Sequence, residues 1–325
     1  MKKTAWAPSN IAFIKYWGKK DEALRLPENG SISMNLSNLF TITTVEFDKT
    51  FLTDEVTIDD EIDEKERKRV IEHLNRIRKL AKINYKAKVV SKNSFPKGTG
   101  LSSSASGFAA LTLAATAACG LKLSEKELSI LARQGSGSAC RSIPDGFVEW
   151  LVGETSEDSY AYSLFPPNYW DIVDVVVIVS SSRKEISSTE GQKLVPTSPF
   201  YSSRLLNINK KMKTLKKILQ KKNFSAFGEL IEQEALELHA IMLTSKPSLI
   251  YLTPSTIAII KLVKKLREEG LSVYFTLNTG CDIHLIIEKK NLEKLLLKLK
   301  YKKEIKKIIV NYPSKGAKII SKHLF

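Results

Sequence analysis

The chain is poor in the residues that staple or metallate a fold. Its 325 residues include three cysteines, Cys119, Cys140 and Cys281, none in a Cys-x-x-Cys pair, and four scattered histidines. That excludes a disulfide framework, a structural zinc site and a His/Cys metal centre. No apolar run reaches the ~18–20 residues that a membrane-spanning helix requires. The opening Met-Lys-Lys-Thr-Ala-Trp does not lead into the apolar core of a secretion signal. Low-complexity linkers and internal repeats are missing as well. What is left, at 43% hydrophobic and 26% charged residues, is an ordinary folded chain. It is long enough for one large domain or two packed ones and is expected in the cytoplasm, with its thiols reduced.

Negative charge is scarce in one half only. Residues 1–200 carry 26 basic and 25 acidic side chains, residues 201–325 carry 25 and 10, and the net charge is +16. The excess is mostly lysine interleaved with Leu and Ile. Leu205, Ile208, Met212, Leu215 and Leu219 recur every three or four positions, which predicts an amphipathic helix over residues 205–222 with lysines outside. Residues 291–307 predict another. These stretches lack interleaved aromatics and arginine-led recognition patterns, so neither nucleic acid nor a membrane is expected as partner. A positive field of this kind does attract phosphorylated metabolites.

Further along the chain, Thr-Ile-Thr-Thr-Val-Glu-Phe (41–47) and Ala-Lys-Val-Val (87–90) read as strands, and residues 64–80 as a charged amphipathic helix. An Ala/Leu-rich helix is predicted over 106–119. Ser124 and Glu127 form a capping box for a further helix. The β-branched run 173–180 suits a buried strand, and 272–287 a strand–turn–strand. Strands and helices mixed without a βαβ rhythm predict an α+β fold in two parts, residues 1–190 and 191–325.

Three segments carry chemistry. In Pro-Lys-Gly-Thr-Gly-Leu-Ser-Ser-Ser-Ala-Ser-Gly (96–107), Gly98 and Gly100 let backbone approach a ligand, Ser102, Ser103, Ser104 and Ser106 offer hydroxyls, and a helix start supplies free N–H groups. It is no Walker loop, since no Gly-Lys-Ser/Thr follows; a Ser-rich helix cap is the alternative. In Arg-Gln-Gly-Ser-Gly-Ser-Ala-Cys-Arg-Ser (133–142), Gly135 and Gly137 flank Ser136 in a backbone suited to wrapping an anion, and Arg141 brings a planar fork for carboxylate or phosphate. A loop with one surface arginine is the alternative. In residues 10–19, ending Ile-Lys-Tyr-Trp-Gly-Lys, Lys15 and Lys19 stand ready to neutralise phosphates or merely to face solvent. His239 reads as a packed helix residue and Cys140 as core.

Taken in order, with Asn-Gly-Ser-Ile-Ser (29–33), Gly-Phe-Val-Glu-Trp (146–150) and Ser-Thr-Glu-Gly (188–191), these segments resemble the diphosphomevalonate decarboxylase family of the GHMP kinase superfamily. The resemblance covers residues 8 to about 286. It implies a two-lobed α+β fold, with an N-terminal lobe like the second domain of ribosomal protein S5 and a ferredoxin-like C-terminal lobe. It also implies a homodimer, with ATP and Mg²⁺ and a phosphorylated mevalonate as small-molecule partners. ATP would phosphorylate the 3-hydroxyl of 5-diphosphomevalonate; loss of phosphate and carbon dioxide would give isopentenyl diphosphate, in the mevalonate route to isoprenoids. On the same footing Arg141 is the carboxylate clamp, and Tyr16, Trp17, Gly18, Lys19, Arg69, Ser136, Gly137, Ser138, Ala139, Cys140, Ser188 and Thr189 surround the substrate. Lys15 stands by the reacting hydroxyl. Gly98, Thr99, Gly100, Ser102, Ser103 and Ser104 hold nucleotide phosphates, with Ser104 at the metal.

The chain departs from the family at residue 278. In Tyr-Phe-Thr-Leu-Asn-Thr-Gly (274–280) Asn278 stands where the family has an aspartate, and an amide orients a hydroxyl but does not take its proton. Asp282 and His284 follow the turn. Asp145 replaces a small residue near the clamp and is expected to face solvent. Phosphomevalonate decarboxylase, giving isopentenyl phosphate, and a mevalonate 3-kinase without decarboxylation remain as alternatives, the second drawing its weight from Asn278.

Overall fold

Two long strands carry the first sheet. The computed structural model, which describes residues 1–95, 101–180 and 186–325, pairs β1 (Lys2–Ile14) antiparallel with β4 (Ser31–Asp48). A small hairpin of β2 (Lys19–Asp21) and β3 (Leu26–Pro27) lies between them in the chain. Beyond β4 come β6 (Lys86–Asn93) and then β5 (Glu55–Ile58), and beside it β7 (Phe147–Trp150) and β8 (Ala161–Phe165). The second sheet runs β10 (Val273–Thr276), β11 (Ile283–Glu288), β9 (Ile172–Ile178), β12 (Lys307–Asn311). A last strand, β13 (Lys318–Ile320), returns to pair with β1.

Helices α1 (Glu64–Ala81), α2 (Ser103–Ala118) and α3 (Glu125–Gly135) cover one face of the first sheet. A single turn, α4 (Ser188–Gly191), precedes α5 (Tyr201–Lys221) and α6 (Phe224–Thr244), which help fill the space between the sheets. Helices α7 (Pro254–Glu268) and α8 (Leu292–Leu299) close the far face of the second sheet. The apolar stripe read in α5 is buried at Ile208, Met212, Leu215 and Leu219, and the capping box at Ser124 is formed.

The α+β architecture is as expected, but the expected division at residues 190/191 does not follow the sheets. Strand β9 lies before that point yet belongs to the second sheet, and β13 lies after it yet belongs to the first. The helix expected over 291–307 also stops early, at Leu299. The β-branched run that follows is claimed by β9, with Ile308 opposite Val177 and Ile309 opposite Val176. Pairing between distant strands outweighs local helical spacing here.

The pairing of β1 with β4 slips between Pro8 and Asn10. As a result Ala5 and Ala7 face the α1–α3 helices, whereas Ile11 and Phe13 face the second sheet. The slip turns the end of β1 towards the other lobe. There the Lys15 N–H donates to Glu234 Oε1 (3.0 Å), and its carbonyl accepts from Arg204 Nη2 (2.9 Å) and Asn29 Nδ2 (2.9 Å). Glu234 and Arg204 form an ion pair with fully buried side chains, and Lys211 Nζ reaches Glu234 Oε2 at 3.0 Å. Burial alone would raise the Glu234 carboxyl, but Arg204 and Lys211 outweigh it and hold the group below its usual value.

Glu234→Ala leaves Arg204 buried without its main partner. Urea unfolding at pH 7 should show a loss of about 3–5 kcal/mol. A depressed carboxyl contributes above its unfolded-state value and is lost as the pH falls through its folded one. The gap between wild type and variant should therefore shrink below pH 4.5, the ordinary glutamate value.

Candidate active site

A cavity of about 400 Å³ opens where the end of β1, the start of α2, the turn after α3 and the loop after β10 converge. Its walls carry many of the residues singled out in the sequence: Lys15, Tyr16, Trp17, Lys19, Arg69, Ser102, Ser103, Ser104, Ser136, Gly137, Ser138, Arg141, Ser188, Thr189 and Asn278. Positions as far apart as 15 and 278 share one wall. Gly98, Thr99 and Gly100 lie outside the described residues.

Three expected wall residues are not there. Ala139 and Cys140 are wholly buried behind the wall, Ala139 against the α1–α3 core and Cys140 beside Val148, Trp150 and Ala161. Burial pushes the Cys140 thiol up to about 12, as befits a packing residue. Gly18 has φ +107° and lies so close to the Tyr201 hydroxyl that a Cβ would sit 2.0 Å from it, so this glycine serves a turn and a close packing contact. Asp145, expected to face solvent, is half-buried and accepts the Gly316 N–H at 2.7 Å. Asp282 and His284 stay off the wall; Asp282 holds the Val179 N–H (3.0 Å) and His284 Nδ1 lies 3.0 Å from Asp174.

The alternative of a loose surface arginine does not hold for residue 141. Residues 137–142 wind into a 3-10 turn. Arg141 is 4% exposed; Nε and Nη2 donate to Asn10 Oδ1 (3.2 and 3.0 Å) and Nη1 to Ser31 Oγ (2.9 Å). These acceptors are neutral, and among the described residues no carboxylate neutralises the guanidinium. Lys15 is equally deep, at 2% exposure. Its Nζ donates to the Ala12 carbonyl and to Asn278 Oδ1 (3.3 Å), again neutral oxygens. Burial, opposed in part by Glu234, brings its ammonium down to about 7. A buried guanidinium without a carboxylate partner is costly unless an anion joins it, and Lys15 escapes that cost by giving up its proton near neutral pH.

The amide of Asn278 is fixed by what it touches. Its Oδ1 accepts from Lys15 and its Nδ2 donates to Ser102 Oγ (3.2 Å). His239 Nε2 lies 3.1 Å from the Asn278 carbonyl, which only accepts, so this nitrogen carries the hydrogen. Burial brings His239 down to about 4, leaving it neutral. Ser102 has φ +60° and makes no side-chain cap bond to α2, so its hydroxyl does not consume the N–H groups of the first turn. A helix start of this kind binds phosphate. Ser136 Oγ donates to Ser104 Oγ (3.2 Å) and Ser188 Oγ lies 2.6 Å from Thr279 Oγ1, tying the walls together.

Sequence reasoning missed Arg25, Lys65 and Asn93, which also line the cavity. No local motif surrounds them; they arrive through the hairpin, α1 and β6. Among the described residues no group of three or more His, Cys, Asp or Glu side chains is arranged to hold a metal. A Mg²⁺ carried in on nucleotide phosphates needs no such cluster, since it keeps few protein ligands. The serine hydroxyls and the helix start fit it.

Comparison with known proteins agrees with this geometry. The model of the diphosphomevalonate decarboxylase-like N-terminal domain matches residues 7–161, and that of the mevalonate 5-diphosphate decarboxylase C-terminal domain matches 174–322. The chain belongs to the diphosphomevalonate decarboxylase family. It is 36% identical to the diphosphomevalonate decarboxylase of Candida albicans, over 89% of this chain and 85% of the relative. To that of Rattus norvegicus it is 38% identical, over 85% and 74%. The structure of mevalonate diphosphate decarboxylase from Staphylococcus aureus superposes with a TM-score of 0.94 at 38% identity, covering 98% of both chains. A complex of MDDEF with MVAPP, AMPPCP and magnesium gives 0.93 at 38%, covering 99% of both. The two-lobed fold is that of the GHMP kinases.

Within this family frame, Gly137 is a wall glycine with no room for a side chain. A Cβ there would meet the Tyr16 ring at 2.7 Å, and that ring packs edge-on against Trp150 at 4.6 Å. Gly137→Ala should cost about 1–3 kcal/mol in denaturant unfolding. Tryptophan emission should change with it, because the Tyr16–Trp150 contact must shift.

Proposed function

We propose that this chain carries out the ATP-dependent decarboxylation of 5-diphosphomevalonate to isopentenyl diphosphate, a lyase step of the mevalonate pathway. The observation that carries the reading is the buried Arg141 guanidinium, with the buried Lys15 amino group on the same cavity, neither end paired with a carboxylate among the described residues. A substrate with a carboxylate at one end and phosphates at the other supplies the missing charge. Its decarboxylase relatives, and the neighbouring complex with MVAPP and AMPPCP, support the choice.

In this reading Arg141 clamps the substrate carboxylate, held in line by Asn10 and Ser31. Tyr16, Trp17, Lys19, Arg69, Ser136, Gly137, Ser138, Ser188 and Thr189 form the wall that receives the diphosphate. Lys15 and Asn278 stand at the 3-hydroxyl. Ser102, Ser103 and Ser104, at the start of α2, take the nucleotide phosphates, and Ser104 is the side chain that would ligate Mg²⁺. The metal, when bound, neutralises charge on the transferring phosphoryl group. The work left to the protein is orientation and charge placement, because breaking C3–O and C1–C2 bonds together needs the carboxylate and the departing phosphate held in register. We further propose a homodimer in the cytoplasm; family likeness supports the first, and three free cysteines the second.

The test is incubation with ATP, Mg²⁺ and each of mevalonate, 5-phosphomevalonate and 5-diphosphomevalonate, with phosphate, carbon dioxide and organic product followed separately. Carbon dioxide and alkene should appear with 5-diphosphomevalonate. A 3-phosphorylated product without carbon dioxide would replace this reading with a 3-kinase. Arg141→Ala should lower kcat/KM more than about 100-fold, since a charged donor at the reacting end is removed. Ser104→Ala should raise the KM for ATP about tenfold. Its melting temperature and its affinity for the mevalonate compound should stay as in wild type.

A further inference from the structure

The reaction assigned above must remove a proton from the hydroxyl that receives phosphate, and few groups in the cavity are able to take it. Among the described residues three carboxylates line the wall, and each is engaged. Asp63 accepts the N–H groups of Lys65 and Glu66, Glu66 pairs with Arg69 at 2.9 Å, and Glu190 pairs with Lys65 at 2.7 Å. No histidine is among the described wall residues; His239 reaches the backbone of Asn278 from behind. Asn278 itself is an amide and takes no proton at working pH.

Resting on the decarboxylase reading, we propose that Lys15, as a neutral amine, accepts the proton of the substrate hydroxyl, in the place that a carboxylate at position 278 would otherwise hold. The geometry suits the task. Lys15 Nζ donates to two fixed acceptors, the Ala12 carbonyl and Asn278 Oδ1. An amine has two hydrogens, so both are spent there and the remaining tetrahedral position carries the lone pair. Lys15 borders the cavity, where the hydroxyl must lie. An aspartate at 278 would pair with the ammonium and keep it charged; the amide does not.

The charges that face Lys15 come from four elements. Arg141 in the 3-10 turn and Arg204 on α5 disfavour its protonation, while Glu234 on α6 and Asp174 on β9 favour it. His239, also on α6, is neutral. Burial is the largest influence and sets the outcome at about 7. The hydroxyl proton passes to Lys15 Nζ, the oxygen's electron pair forms the new O–P bond to the γ-phosphoryl group of ATP, and the bond from that phosphorus to the bridging oxygen breaks, its pair leaving with ADP. The resulting ammonium lies beside the new phosphate. When the C3–O bond then breaks, it helps to stabilise the charge that leaves.

The test combines rate and direct titration. The kcat/KM of wild type should rise about tenfold from pH 6 to pH 8, following the free amine. Asn278→Asp should move this limb well below pH 6, because a carboxylate becomes the acceptor and Lys15 stays charged. Lys15→Arg keeps a cation that does not release its proton, and kcat should fall more than 100-fold with substrate affinity changed only a few-fold. In the free enzyme labelled with ¹³C at lysine Cε, the resonance missing from Lys15→Arg should titrate near pH 7. The proposal is overturned if that resonance titrates above about pH 9. It is equally overturned if the pH 7 limb persists in both Asn278→Asp and Lys15→Arg, which would assign the limb to a phosphate of the substrate. Absence of carbon dioxide with every mevalonate compound would sink the functional reading instead, and the titration would still report on Lys15.

Discussion

Much of the molecule depends on the buried pair Glu234–Arg204, because it grips the backbone of a single residue from both sides. One partner takes the N–H of Lys15 and the other gives to its carbonyl. The pair belongs to the helices between the sheets, whereas Lys15 directly follows the first strand. The ion pair thus sets the distance between the lobes and the direction of one lysine with the same bonds. Its partners are numerous enough, with Lys211 and Glu237 joining, to compensate two charges removed from water. An isolated contact of this kind would be poor value for stability; one that also aims a functional side chain has a reason to persist.

The cavity shows the opposite arrangement. Most charged groups on its rim are paired, including Lys19 with Glu22, Lys65 with Glu190 and Arg69 with Glu66. The buried basic side chains Arg141 and Lys15 are held by neutral oxygens, so their orientation is fixed while the charge of one and the lone pair of the other stay available. That is preorganisation in a simple form, since the cost of placing the charges is met when the chain folds and not when the ligand binds. The start of α2 adds to it, because Ser102 turns its hydroxyl to Asn278 and makes no cap bond.

The parts of this arrangement that were legible in the sequence are the local ones. The stripe Ile208, Met212, Leu215, Leu219 is buried because helical spacing depends only on neighbours three and four apart. The segments at 10–19, 133–142 and 274–280 were visible because chemistry-bearing residue types are crowded together. What was not legible is long-range. Nothing in residues 172–178 tells which sheet will claim that strand, and nothing near Arg25 or Asn93 marks a cavity wall. The triple Lys15, Asn278 and Ser102 comes from three distant segments. Glu234 sits in an unremarked helix, and only the folded chain shows that it holds Lys15. Conversely, Ala139 and Cys140 sit among cavity residues in the sequence yet turn inward, because a tight 3-10 turn sends successive side chains in different directions.

The return of β13 to the edge of β1 bears on how the chain is made. Strand β1 is translated first, and its neighbour on one side, β4, follows soon after; its neighbour on the other side comes only when the whole second lobe has been synthesised. Until then one edge of β1 carries unpaired N–H and C=O groups in a nascent chain held at the ribosome. The N-terminal lobe therefore cannot finish as an independent unit during translation. A ribosome that stalls after α8 would hold the helices of both lobes with an open sheet edge, the kind of surface that chaperones cover and aggregates extend.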